Sequence, residues 1–208
     1  MVRSTALVAI ALCFGCSNPA KKPVVHASEN DASEIYGTFL DEWTGKDKDP
    51  VNVSLTANAP SADDLKQFSD CADSGAGTNW APAAPIADLT AFIGWLPYVR
   101  LVDPAKWSPR DPGHLIAQGQ SVDSAVDSGI ANGLMTFSAI TFDQSHQTAA
   151  FTYSFVCGRL CGNGGTVIFV RNQAGWSHGT KQCGGWISYL RGDRPNNSSE
   201  PKPLRGAA

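Results

Sequence analysis

The run that most constrains the fold lies in the last third of the chain: residues 151–170, FTYSFVCGRLCGNGGTVIFV, place two cysteines four apart among glycines and between two apolar stretches. Phe151, Tyr153, Phe155 and Cys157 alternate with Thr152, Ser154 and Val156, the period-two pattern of a half-buried strand. Residues 166–170 form a second run, rich in β-branched and aromatic side chains. Gly158, Gly162, Gly164 and Gly165 lie between the two and read as loop glycines suited to positive φ. The stretch is a hairpin. Cysteines flanking a three-residue loop in it bring their α-carbons to about 5.5 Å, within disulfide reach, so the expected short bridge is Cys157–Cys161.

The opposite end of the chain sets the compartment. Residues 1–16, MVRSTALVAIALCFGC, carry one positive charge at Arg3 followed by a short apolar stretch from Ala6 to Phe14. A membrane-spanning helix needs about 20 apolar residues, so this stretch reads as a secretory leader of residues 1–15. Gly15 and Cys16 resemble the lipobox of bacterial lipoproteins, although Cys13 stands where that pattern prefers leucine and Leu12 lies one place early. The resemblance implies cleavage before Cys16 and acylation of its thiol. Several acyl chains on one residue anchor stably, where a single chain holds only marginally. Ser17, in place of the aspartate of inner-membrane retention signals, points by the same resemblance to the outer membrane, facing the periplasm.

Residues 16–32 are polar and proline-broken and read as a flexible tether, whose ends lie on the order of 20–25 Å apart. Residues 191–208 are nearly devoid of apolar side chains and read as a disordered tail. Residues 33–190 remain as one domain of ordinary size, with tryptophans enough for a real core. The formal charge is −3, and loss of Arg3 with the leader takes it to −4. No basic run is present, which argues against nucleic acid as a partner.

With Cys13 in the leader and Cys16 acylated, Cys71, Cys157, Cys161 and Cys183 remain, an even number in an exported domain. Once Cys157 and Cys161 are paired, elimination leaves Cys71–Cys183. A redox pair would need two residues between the cysteines and a helix after them, and here there are three residues and a strand. A zinc site from Cys157, Cys161, His178 and Cys183 is possible on paper, but the oxidising compartment disfavours it. No metal or other cofactor is implied.

Elsewhere, Ile35, Tyr36, Phe39, Leu40 and Trp43 fall at helical spacing behind Ser33, a potential N-cap. Residues 51–57 alternate as a strand, and residues 61–68 read as a short capped helix ending near Cys71. Residues 86–95 are expected to be a helix, 98–102 a strand, and 121–130 a helix facing inward through Val122, Ala125, Val126 and Ile130. Residues 135–142 form a strand leading through residues 143–147 into the hairpin, so three consecutive strands make an antiparallel meander. The expected fold is α+β: N-terminal helices packed on an antiparallel sheet that ends in a three-stranded meander.

Residues 137–143, Ala149 to Tyr153, the Cys-Gly-x-Leu-Cys-Gly-x-Gly run at 157–164, and Gly175-Trp176 resemble the C-terminal pattern of uncharacterised exported bacterial proteins. The resemblance covers about 40 residues; it implies the hairpin and the paired cysteines and brings no activity or ligand.

Asp143, Ser145 and His146 are the residue types of an acyl-transfer triad, yet triad members converge from separate parts of a fold, and a solvated hairpin turn explains them more simply. The acidic residues Asp103, Asp111, Asp123 and Asp127 match no calcium-loop spacing, and His114 reads as a loop histidine. Two functions remain. One is a lipid-tethered interaction domain binding an envelope protein or glycan through loops near Trp80, Trp95 and Trp107. The alternative is an envelope hydrolase using Asp103, Asp111, His114 or His146. The residue pattern favours binding.

Overall fold

In the computed structural model, residues 29–72, 79–159, 161–179 and 183–188 are described. Cys16, nearly all of the tether and the tail at 191–208 lie outside them. The hairpin is the backbone of the fold. Strand β5 (Thr148–Gly158) pairs antiparallel with β6 (Cys161–Asn172) from Thr148↔Val170 to Gly158↔Cys161, with a register shift after Val156. The shift brings Cys157 and Cys161 to a Cα separation of 5.1 Å, and a disulfide joins them. One expectation changes here: Gly162, Gly164 and Gly165 belong to β6, and none of them takes positive φ. They are glycines because of what crosses above them, as described below.

Strand β3 (Leu134–Ser138) lies antiparallel to β5, which completes the expected meander. The predicted strand over 135–142 is broken, however: Ala139 donates its N–H to Asn58, and β4 (Thr141–Phe142) resumes pairing with β5 after the gap. At the break the Ser138 hydroxyl accepts the Thr152 N–H at 2.9 Å, so a side chain supplies the missing ladder acceptor.

Beyond β3 the sheet departs from the antiparallel expectation. Strand β1 (Val51–Asn58) runs parallel to β3 on one side and parallel to β2 (Val99–Val102) on the other. Parallel neighbours need long crossover connections, and the helical segments between β1 and β3 supply them. On the far side, β6 carries β7 (Gly175–His178) along one half and β8 (Cys183–Ser188) along the other. The class is α+β with a mixed eight-stranded sheet in the order β2-β1-β3-β5-β6-β7.

Helix α1 (Glu29–Thr44) covers one face. Ile35, Tyr36 and Leu40 are fully buried and Phe39 nearly so, against Val53, Met135, Phe137, Phe151 and Phe169. Its rings interlock with those of the sheet: Tyr36 stacks on Phe137 at 5.0 Å, and Phe39 meets Phe151 edge-on at 5.4 Å. The helix begins four residues before the expected Ser33, because Ala32 is already buried and the Asp31 carboxylate is bonded to His146. Ser33 instead donates its hydroxyl to the Phe92 carbonyl. The predicted helix over 86–95 shrinks to a single turn, α3 (Thr90–Ile93), which packs Ile93 against α1.

The second face is only partly covered. Helix α2 (Ala62–Cys71) starts with a capping box in which the Ser61 hydroxyl accepts the Asp64 N–H and the Asp64 carboxylate accepts the Ser61 N–H. It packs Phe68 and Cys71 on Ala150 and Ile168, with Trp80 and Cys183 alongside. At the disulfide end, α4 (Pro112–Ala117) and α5 (Val122–Ala131) pack together. The proline-rich stretch before them hides α4 because Pro112 sits at its start, where a missing N–H costs nothing. Helix α5 faces inward only in part as expected: Ala125 is buried and Val126 half-buried, but Val122 and Ile130 are 59% and 41% exposed, and Gly129 is the second buried position. A Cβ on Gly129 would come within 2.6 Å of Pro112, so close approach of small residues decides which side docks.

Candidate functional site

Because α2 covers only part of its face, the remainder of that face is an open cleft of about 360 Å³, floored by β3, β5 and β6 and rimmed by Asn58, Asp64, Gln67 and Trp186. Its floor follows from strand register. Thr136 faces Ser154 across β3 and β5, Ser154 faces Gly164 across β5 and β6, and Gly164 faces Trp186 across β6 and β8. Side chains directly opposite in a sheet point to the same side, so these four positions form one continuous row about 14 Å long, three strand spacings.

The glycines of β6 make room for the indole. A Cβ on Gly164 would lie 2.5 Å from Trp186 Nε1, and one on Gly162 3.3 Å from its Cη2. Trp186 therefore spans both glycines, yet remains 43% exposed. In the next row Thr152 faces Thr166, whose buried hydroxyl has no hydrogen-bond partner among the described residues. Sequence reasoning assigned Trp186 no binding role. The clue was available in the glycines: inside a strand they mark a place where another group approaches closely.

The residues expected to carry hydrolysis do not converge. His146 precedes the first residue of β5; its Nε2 meets the Asp31 carboxylate at 2.8 Å, and its ring stacks on Phe142. Asp111 and the turn of α4 that holds His114 lie against the other end of that strand, where the Asp111 carboxylate accepts the Arg159 N–H at 2.7 Å and the His114 N–H. An eleven-residue strand puts those ends roughly 33 Å apart. The His114 ring, on a helix instead of a loop, bonds Gln118. Asp103 accepts the Ala105 N–H and pairs with Lys106 in a tight turn. Backbone N–H donation, from Ala105 to Asp103 and from Arg159 to Asp111, holds both carboxyls below the usual aspartate range.

Asp143 is equally occupied. Its carboxylate accepts the N–H groups of Gln147 and Thr148 and the hydroxyl of Ser145, tying the hairpin loop to β5. Burial works to raise its pKa, but these hydrogen bonds outweigh burial and the carboxyl ends below the usual range. Ser145 thus donates toward Asp143 while His146 turns to Asp31, so the three residues form no relay.

The tryptophans expected to bind are dispersed. Trp80 donates to Ser69 and meets Phe68 edge-on in the second core. Trp107 is half-buried and bonded to the Asn132 carbonyl. Trp95 is 63% exposed, but its Nε1 is held by the Phe92 carbonyl and Ser33, and its ring covers Gly37 on α1. None of them lines the cleft.

Of the expected bridges, Cys157–Cys161 is formed, which removes both thiolates from any zinc set. The other two cysteines, Cys71 and Cys183, both pack on the cluster around Phe68 and Ile168. Among the described residues, no three His, Cys, Asp or Glu side chains are grouped as metal ligands, and no helix is long and apolar enough to cross a membrane. No protein-family model, curated protein or solved structure matches the chain.

Proposed function

We propose that this chain is an outer-membrane lipoprotein facing the periplasm, with a domain that binds an envelope ligand. The leader through residue 15 is removed, Cys16 is acylated, and the following residues tether the domain to the bilayer. The cleft on the partly covered face is the binding site, and it is the observation that carries the reading. It is concave, within the size range of ligand sites, and combines an exposed aromatic ring with neighbouring hydroxyl and amide groups. The hydrolase alternative has no comparable support: His146 lies at one end of β5 and bonds Asp31, Asp111 and His114 lie at the other, and the Asp103 and Asp111 carboxylates each accept backbone N–H groups.

Cys16→Ala tests the anchor: the variant is expected in the soluble fraction, and sedimentation with membranes would refute lipidation. The same soluble variant tests the site. It should bind washed envelopes saturably, and adding Ser154→Tyr, which places a ring in the cleft, should abolish that binding with circular dichroism unchanged. Equal binding by the blocked variant would overturn the assignment.

A further inference from the structure

Resting on the cleft as the binding site, we infer that its ligand is an uncharged oligosaccharide, one ring of which stacks on Trp186 while its hydroxyl groups run along Thr136, Thr152 and Ser154. A peptide docking as an added strand needs unpaired backbone groups. The floor is the middle of the sheet, where β5 is already paired with β3 on one side and β6 on the other. A phosphate-bearing ligand or acidic polymer needs cations, and the lining contains no lysine or arginine among the described residues; its one formal charge is the Asp64 carboxylate. An acyl chain needs a predominantly apolar groove, whereas threonine, serine, asparagine and glutamine account for much of this lining.

A saccharide fits what remains. Its ring presents an apolar C–H face and a polar edge in one rigid unit, the pairing that the exposed indole and the hydroxyl row offer side by side. The Trp186 ring lies close over the two glycines it spans and leaves much of its surface open to a ligand. The row Thr136–Ser154–Gly164–Trp186 extends about 14 Å, which favours a chain of linked rings over a single one. The buried Thr166 hydroxyl, unpartnered among the described residues, lies one row away and faces Thr152.

The test uses the full chain carrying Cys16→Ala, titrated with tetramers of β-1,4-linked N-acetylglucosamine and β-1,4-linked glucose and followed by tryptophan fluorescence and calorimetry. At least one tetramer should bind. Trp186→Ala should weaken it about tenfold or more, Trp186→Phe by less, and Thr152→Ala with Ser154→Ala several-fold, since one stacked ring or a pair of hydrogen bonds accounts for changes of that order. Unchanged affinity in Trp186→Ala overturns the inference. So does the absence of binding by either tetramer at millimolar concentration when Ser154→Tyr still abolishes envelope binding; in that event the cleft binds another class of ligand. If Ser154→Tyr leaves envelope binding intact, the cleft assignment itself fails. Trp186→Phe and the hydroxyl variants keep the test decisive should Trp186→Ala fold poorly.

Discussion

Replacing Asp143 separates a structural role from a chemical one, and its effect can be worked out in advance. The wild-type carboxylate accepts the N–H groups of Gln147 at 2.8 Å and Thr148 at 2.9 Å, and Thr148 is buried. In Asp143→Ala the Thr148 N–H loses its acceptor where water cannot replace it, at a cost of about 1–3 kcal/mol, and the more exposed Gln147 N–H adds roughly 1 kcal/mol. The expected loss is about 3 kcal/mol, which lowers the urea midpoint by about 1.5 M if the denaturant slope is about 2 kcal/mol/M. Asp143→Asn keeps an acceptor oxygen in place and loses only the charge assistance, about 1 kcal/mol.

The pH dependence has a definite sign. The folded carboxyl titrates below the usual aspartate value, so the charged form contributes stability that is fully present above the unfolded-state value of about 3.9 and disappears as pH falls through the lower folded-state value. The gap between wild type and Asp143→Asn in urea unfolding should therefore be constant from neutral pH down to about 5 and close below about 4. An Asp143→Ala protein as stable as wild type, or a gap that persists undiminished at the acid end, would refute the role assigned to this residue.

Mass mapping of the non-reduced protein recovered from the periplasm should find Cys157 joined to Cys161 and Cys71 to Cys183. The second bond would span a loop of over a hundred residues and add roughly 4–5 kcal/mol in the entropic model, and unlinked thiols at 71 and 183 would refute it. Tyr36→Phe removes the hydroxyl that donates to the Ser138 carbonyl at 2.7 Å in the buried core and should lower stability by about 1–2 kcal/mol in thermal or urea unfolding, with no change in ligand binding.

What could be foreseen from the residues followed the range of the interactions involved. The β5–β6 hairpin, its disulfide, the Ser61 cap and the aromatic stripe of α1 are local patterns, and each was legible. The α+β class followed from their order. What was hidden depends on contacts distant in sequence. Nothing near Val51 announces that β1 will sit between two parallel neighbours. Nothing near Val122 announces that α5 will dock through Ala125 and Gly129 because Pro112 must come close. The cleft was hidden for the same reason: Trp186 and Gly164 are brought together by sheet register. Residue type alone cannot tell a catalytic carboxylate from one that caps a turn; the turn reading preferred for these acids agrees with the N–H groups that Asp103, Asp111 and Asp143 accept.

The placement of β1 also governs when this domain can fold. The Asn52 side chain reaches the Gly133 carbonyl 81 positions away, and Tyr36 reaches Ser138 across 102. No early stretch of the chain can complete the sheet alone, because the closing partner of β1 is made only after residue 134. Such high contact order slows assembly. Under the proposed export, that delay leaves the portion already synthesised unable to complete the sheet, and so threadable, until translocation is nearly finished.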